Sequence, residues 1–268
     1  MGACMFAAPR SFQRVEPLRR LARGMWKRYA RTLKPPFFVE KRLGAYWLLD
    51  QINIIDRNLF CFGAWEQEQL DRLRELAKIV AKGNQRPMFL DIGSHAGFYA
   101  VVMAKSGDFG RVAAFEPIPR HLAMLNANLL LNELVERVEV FPIALSDKKA
   151  TLRFAQGPAT NRGQAHTIDG LSTGLHSNAP QDQIIEVKAE RLDDLISVRG
   201  IAACIKIDVE GHEEATLNGM LQFLKSNTCA LQVELLPEAV ARVSELLLSC
   251  GYRPQGNIGL DHYFHNVN

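Results

Sequence analysis

From Pro87 onward the chain repeats one pattern. A short apolar run closes on an acidic or small residue, and a stretch follows whose apolar positions recur every three to four residues. Apolar runs alternating with amphipathic stretches predict parallel strands joined by crossover helices, because helices on both faces of such a sheet leave its strands little room for polar residues. Strands are read at Met88–Ile92, Arg111–Phe115, Val138–Pro142, Ala203–Asp208 and Ala230–Glu234, and helices over Gly97–Lys105, Pro119–Leu131, His212–Leu224 and Pro237–Cys250. The tail from Tyr252 carries Gly256, Gly259 and the strand-like run His262–His265, which predicts a closing hairpin. The fold class expected is α/β, a doubly wound and mostly parallel sheet.

Outside that rhythm the pattern changes. Residues 10–34 interleave Arg and Lys with Phe12, Val15, Leu18, Leu21, Met25, Trp26 and Tyr29, the spacing of a basic amphipathic helix. Such a helix suits an anionic membrane surface, and packing against the main domain is the plainer alternative. Pro35 and Pro36 end it. Residues 37–62 read as short strands carrying Tyr46, Trp47 and Leu48, and a helix is expected from Trp65 to Ala81. The chain therefore divides into a basic extension (1–36), an N-terminal cap (37–86) and a cofactor-binding domain (87–268). Residues 155–182, rich in Gly, Ser, Thr, Asn, Gln and Pro, read as a long surface loop between strands at Thr151–Phe154 and Ile184–Lys188. Its Asn161, His166 and His176 are candidates for substrate contact or ordinary solvated residues.

Composition narrows the partners. With 268 residues, 47% of them hydrophobic, the chain has material for one large domain with an appendage. The formal net charge is +3, yet the first 42 residues hold 11 Lys and Arg against two Glu, so the remainder sums to −6. An acidic body gives no reason to expect a nucleic-acid partner. Cys4, Cys61, Cys204, Cys229 and Cys250 are scattered without metal-ligand or disulfide spacing, which fits a reducing compartment, and no run approaches the roughly 18 apolar residues of a membrane span. A cytoplasmic protein without a zinc site or a disulfide framework is expected; Asp208, Glu210 and Glu234 could together hold a divalent cation, but carboxylates alone are a weak signal.

The candidate chemistry sits where the strands end. The run FLDIGSHAGFY, from Phe89 to Tyr99, leads a strand through a glycine turn into a helix. A pyrophosphate-binding turn would carry GxGxxG, whereas Gly93 and Gly97 are spaced GxxxG and Asp91 precedes them. A carboxylate repels a pyrophosphate and suits a cation, which points to S-adenosylmethionine, a nucleoside bearing a sulfonium and an ammonium group. Asp91, Gly93, Ser94, His95, Gly97 and Tyr99 are the candidate cofactor contacts on this turn. One strand later Glu116 and Pro117 end the second run, and an acidic group there can accept hydrogen bonds from both ribose hydroxyls. Ser146 and Asp147, after the third strand, are expected to line the adenine side, with a simple turn as the alternative.

At the fourth strand Lys206, Asp208 and Glu210 alternate as the strand gives way to a turn, so all three share one face. Three charged groups at the edge of a core strand form either a self-satisfied ionic network or a catalytic group. In the second reading Asp208 or Glu210 takes a proton from an acceptor hydroxyl, Lys206 fixes the carboxylates, and His212 is an alternative base. Glu234, closing the fifth strand, should face the same crevice.

From about Asn58 to its end the sequence resembles the FkbM-type family of S-adenosylmethionine-dependent methyltransferases. The residues that carry the resemblance are Trp65 and Glu66, DIGSHAGFY (Asp91–Tyr99), FEP (Phe115–Pro117), ALSD (Ala144–Asp147), RLDDLI (Arg191–Ile196) and, most specific to the family, KIDVEGHE (Lys206–Glu213). The resemblance covers about three quarters of the chain. It implies the seven-stranded methyltransferase fold and O-methylation of a sugar, glycan or other small natural-product hydroxyl. His95 stands where the family often has Asn. The rival readings are N-methylation of a protein or nucleic acid and a degenerate fold kept for binding or membrane docking. No Asn-Pro-Pro-Tyr or Asp-Pro-Pro-Tyr element follows the fourth strand to support the former.

Overall fold

A computed structural model of the chain describes residues 35–81, 86–156, 165–168 and 184–267. The helix expected over 10–34 lies outside these residues, as do Asn161 and His176. The described residues fall into two compact units divided between Gln67 and Glu68.

In the first unit β1 (Phe37–Arg42) pairs antiparallel with β2 (Ala45–Asp50) across a turn at Leu43 and Gly44. A helix follows, which corrects the all-strand reading of 37–62: α1 spans Ile54–Phe62. The helix is fixed at both ends. The Asn53 side chain accepts from the Ile55 amide at 2.8 Å, and Gly63 closes the last turn with a left-handed φ of 68°.

The second unit begins, after α2 (Gln67–Val80), with the expected alternation. Its elements in chain order are β3 (Met88–Ile92), α3 (Phe98–Ser106), β4 (Arg111–Phe115), α4 (Pro119–Leu131) and β5 (Val138–Phe141). Then come β6 (Ala144–Leu145), β7 (Ala150–Gln156), β8 (Ala165–Thr167), β9 (Ile184–Glu190) and α5 (Leu192–Leu195). The chain closes with β10 (Ala202–Ile207), α6 (Glu213–Asn218), α7 (Leu221–Ser226), β11 (Thr228–Glu234), α8 (Pro237–Ser249), β12 (Arg253–Ile258) and β13 (Asp261–His265).

Seven strands form the main sheet in the order β12-β13-β11-β10-β3-β4-β5. The five from β5 to β11 run parallel, and the tail hairpin adds β13 antiparallel to both β11 and β12. Fully buried strands such as β10, Ala-Ala-Cys-Ile-Lys-Ile, explain why these segments read as apolar runs instead of alternating ones.

Two expectations change in detail. The strands flanking the long polar interval leave the main sheet and build a second one, β6-β9-β7-β8, whose β8 falls inside the interval read as loop and contains His166. The single helix expected over His212–Leu224 is two. The Asp193 carboxylate accepts from the Gln222 and Phe223 amides at 3.0 and 2.8 Å, which starts α7 afresh, and Gly219 sits at the break. A Cβ on Gly219 would lie 1.8 Å from the Ser146 carbonyl oxygen, so glycine is needed there for close approach although its φ is ordinary. Among the described residues no helix is long and apolar enough to cross a membrane.

Gly219→Ala should therefore cost about 3 kcal/mol, the upper part of the usual range for overpacking. Gly107→Ala, where the left-handed φ of 76° is the sole obstacle and no atom lies within 4 Å, should cost about 1 kcal/mol. Urea unfolding of the two variants measures the gap, and equal losses would mean that Gly219 does not hold the junction.

Candidate functional site

The chain leaves β3 outward to β4 and β5, then crosses back to β10 and continues to β11, so winding reverses between β3 and β10. Ligands of open α/β sheets bind outside the carboxyl ends of the strands at such a point. Here the two strands close tightly: the Asp208 amide donates to the Ile92 carbonyl at 3.0 Å. A Cβ on Gly93 (φ 81°) would meet the Asp208 carbonyl oxygen at 1.8 Å, and one on Gly97 (φ 80°) would meet Leu125 at 2.3 Å. The demand for glycine at both positions thus arises within the protein, from the neighbouring strand and from α4. Ser94 braces the turn, its hydroxyl donating to the Asp91 carbonyl at 2.7 Å.

Behind the turn a polar row crosses the sheet. Asp91 on β3, Lys206 on β10, Gln232 on β11 and Tyr263 on β13 are register partners in succession, and all four are buried. One Asp91 oxygen, Oδ2, accepts the Ala100 amide in the first turn of α3 at 2.9 Å, while Oδ1 is buried with no hydrogen-bond partner. Desolvation, only partly offset by Lys206 and the Ala100 amide, pushes the Asp91 carboxyl up to about 6.

At the strand ends a second group gathers. The Lys206 ammonium lies 2.8 Å from Asp208 Oδ2 and 4.7 Å from the centre of the Tyr99 ring. Asp208 also hydrogen-bonds Glu234, the register partner of Asp261. Burial opposes ionisation of Asp208, but Lys206 and the hydrogen bonds from Glu234 and Lys206 outweigh it and hold the carboxyl below the usual range. Burial and the Asp208 charge push Glu234 the other way, so the proton of the pair resides on Glu234. Glu210, exposed and strained at φ 52°, is pushed up to about 7 by desolvation and by the charges of Asp208 and Glu213.

Glu116 ends β4 buried, with Oε2 accepting the His95 amide at 2.7 Å and Oε1 accepting the Ile118 amide at 2.9 Å across half-buried Pro117. His95 holds a left-handed φ of 51°, and its ring lies 4.0 Å from that of His121, whose Nδ1 is 3.5 Å from Glu116 Oε1. A carboxylate has about four acceptor positions. Two amides and an imidazole leave capacity for a ligand hydroxyl.

The remaining predicted residues meet each other. His212 Nε2 lies 2.9 Å from Ser146 Oγ, which also contacts Asp147 Oδ1 at 3.2 Å, and the Ser146 amide donates to the Glu190 carbonyl. Ser146 thus joins the second sheet to the turn before α6. The structure brings Lys206, Asp208 and Glu234 together with Tyr99 and Asp91, sets Glu116 beside His95, and places His212 with Ser146. Among the described residues no three His, Cys, Asp or Glu groups are arranged to hold a metal ion.

Sequence reasoning missed Gln232, Asp261 and His121. Gln232 had a signal, being the single polar side chain in the buried stretch Cys229–Val233. Its Nε2 donates to the Tyr99 hydroxyl at 3.0 Å and to Asp261 Oδ1 at 2.8 Å. His121 sits in the first turn of α4 with nothing in its spacing to mark it.

A five-stranded parallel core extended by an antiparallel hairpin, with its acidic crevice at the switch point, defines a class I methyltransferase. The chain belongs to the family of the methyltransferase FkbM domain, whose model matches residues 91–254. It is 30% identical over 152 residues to 31-O-demethyl-FK506 methyltransferase FkbM of Streptomyces tacrolimicus, covering 48% of this chain and 58% of that protein. It is 23% identical over 164 residues to methyltransferase sdnD of Sordaria araneosa, covering 53% of this chain and 63% of that one. The match thus spans about three fifths of each relative. Among solved structures, methyltransferase FkbM from Methylobacillus flagellatus is similar at 14% identity with a TM-score of 0.46, covering 92% of this chain and 59% of that one.

The cofactor of this class is S-adenosylmethionine, and the residues present fit it. Lys206 interacts electrostatically with four carboxyl groups, those of Asp91, Asp208, Glu210 and Glu234, an excess of acidic groups that suits a cationic ligand. Asp91 Oδ1 is a buried acceptor without a donor. Glu116 keeps acceptor capacity for a ribose hydroxyl.

Because folding raises the Asp91 pKa from 3.8 to about 6, this residue costs stability once pH exceeds its unfolded value. Below that value both states are protonated and nothing is lost; the cost grows between the two pKa values and is constant above them. Asp91→Asn should therefore stabilise the cofactor-free protein by about 3 kcal/mol at pH 7.5, with the gain vanishing near pH 3.5. The same variant should bind S-adenosylmethionine at least about tenfold more weakly, since it removes a charge from the site. Thermal unfolding across pH with calorimetric titration checks both, and a destabilised variant at pH 7.5 contradicts the account.

Proposed function

We propose that this protein transfers a methyl group from S-adenosylmethionine to a hydroxyl oxygen of a small molecule or glycan, with Asp208 as the proton acceptor. The observation that carries the reading is the Lys206–Asp208 pair at 2.8 Å at the carboxyl end of β10, with Glu234 supplying a hydrogen bond to the same carboxylate. The relative whose name specifies an O-demethyl substrate supports oxygen as the target.

The bound cofactor would supply a methyl group activated by its positive sulfur, the S–C bond breaking as its electron pair leaves with the sulfur as a neutral thioether. Asp208 accepts a hydrogen bond from the acceptor hydroxyl and orients a lone pair of that oxygen. A carboxyl held below the usual range is a weak base, but a protonated ether is far more acidic than any carboxylic acid. The proton therefore passes to Asp208 as the new O–C bond forms, without prior ionisation of the alcohol. Glu234 keeps its own proton and steadies the carboxylate through the transfer. Glu210, exposed and near Asp208, passes the proton to solvent.

Calorimetric titration with S-adenosylhomocysteine, S-adenosylmethionine and NAD should show binding of the first two alone. Glu116→Ala should weaken it by roughly 10- to 100-fold, the worth of hydrogen bonds to a charged group. A screen of hydroxylated acceptors with methyl-labelled cofactor, read by mass and by the chemical shift of the new methyl, should give an O-methyl product. Asp208→Asn should then lower turnover at least about 100-fold while changing affinity for S-adenosylhomocysteine little. Unchanged turnover removes Asp208 from the role, an N-methyl product removes the hydroxyl, and NAD binding overturns the reading.

A further inference from the structure

Tyr99 stands in the glycine-turn run that binds the cofactor, yet its side chain is turned inward. The residue is buried, its hydroxyl receives the Gln232 amide at 3.0 Å, and its ring lies 4.7 Å from the Lys206 ammonium. Gln232 is wholly buried, and its second amide hydrogen goes to Asp261 Oδ1 at 2.8 Å, whose other oxygen receives Gln69 Nε2 at 3.3 Å. A continuous chain of contacts therefore runs Gln69, Asp261, Gln232, Tyr99, Lys206, Asp208.

Lys206 needs such a chain. A lysine side chain has four rotatable carbons and a compact charge that pairs with any carboxylate in reach. Asp91 is its register partner on β3, buried and with one oxygen unsatisfied. Pairing with Asp91 would satisfy that oxygen and leave Asp208 without its counter-ion. The face of the Tyr99 ring attracts the ammonium to one place, and Gln232 holds the ring there from behind.

We infer that Tyr99, clamped by Gln232, is a positioning residue that keeps Lys206 on Asp208, so that the base stays ionised and Asp91 stays open for the cofactor's charge. The inference rests on Asp208 as proton acceptor. Tyr99 and Gln232 are buried and hydrogen-bonded to each other, so in this inference they act through Lys206.

Asp208 is faced by Lys206 from its own strand, Asp91 from β3, Glu234 and behind it Asp261 from β11 and β13, His95 from the glycine turn, and Glu210 and Glu213 from the turn and helix that follow. The five groups other than Lys206 and His95 are all acidic. Loosening Lys206 therefore raises the pKa of Asp208. Because the ionised form is the active one, the acid limb of the rate profile moves to higher pH.

The test compares Tyr99→Leu, which removes the ring, with Tyr99→Phe and Gln232→Met, which keep the ring and break its clamp. For Tyr99→Leu the acid limb should rise by about one unit, so that activity relative to wild type is about tenfold lower on the acid limb than at pH 8. Tyr99→Phe and Gln232→Met should each move it in the same direction by about half a unit, and the double variant no further, because both cut one link. Affinity for S-adenosylhomocysteine should stay within about threefold. A profile for Tyr99→Leu that superimposes on wild type after scaling overturns the inference, and should Tyr99→Leu fail to fold, the same criterion applies to the two conservative variants. Carbon-13 titration of the Asp208 carboxyl in the cofactor-free protein, assigned with Asp208→Asn, gives a second readout independent of turnover. Its midpoint should rise in the variants, and a fixed midpoint overturns the clamp. A raised midpoint in a protein whose Asp208→Asn form is fully active would instead refute Asp208 as base while leaving the clamp in place.

Discussion

Everything at the working edge of this protein depends on one buried ammonium. Lys206 lies in the central strand of the sheet, where a charge without a partner costs several kcal/mol, and it is set among four carboxyl groups that one cation cannot neutralise. The surplus negative charge is relieved in two ways. Glu234 keeps its proton against Asp208, and Asp91 is driven up to about 6 by its burial. What remains is a crevice that is charged but not satisfied. A cationic ligand completes it, and the fold tolerates the incomplete state because β3, β10 and β11 are bound into a continuous ladder around it.

The same ladder explains why the glycine turn reads as it does. Gly93 is required by the carbonyl of Asp208 and Gly97 by Leu125. The turn is thus shaped by the strand that leads into Asp208, and the turn proposed to meet the cofactor and the carboxylate proposed as proton acceptor are fixed by one contact. Glu116 repeats the arrangement on the other side, since its carboxylate holds the His95 amide at the tip of the turn. A change at any of these positions moves more than one part of the site.

Much of this was legible before any coordinate. The five parallel strands and their helices announce themselves because buried strands are uniformly apolar and end on charged residues, and Asp91, Glu116, Lys206 and Asp208 stand at those ends. Three features resisted, each for a physical reason. The helix Ile54–Phe62 is nine residues long and follows two strands, so its apolar content fits either period; only its caps, Asn53 and Gly63, distinguish it. The break at Gly219 is imposed by partners remote in sequence, the Asp193 carboxylate and the Ser146 carbonyl, which no local pattern reveals. The strand Ala165–Thr167 is three residues long, below the length at which alternation can be read. In the site, Ser146 and His212 were each picked out for ligand work, and their pairing with one another is invisible until the second sheet is seen to fold against the turn before α6.

The protonation pattern also bears on how a weak base serves a methyl transfer. A stronger base in this crevice would hold its proton at higher pH, because the carboxyls there that lack a cation of their own are driven upward, as Asp91, Glu210 and Glu234 are. Asp208 alone is driven down, and it is the one that Lys206 holds. Under the proposed reaction this is the required compromise. The acceptor needs a carboxylate that is ionised when it arrives, and it needs little basicity from that carboxylate, since the methylated oxygen sheds its proton readily once the bond is made. The lysine therefore secures the charge state at the expense of proton affinity, and for this chemistry only the charge state is scarce.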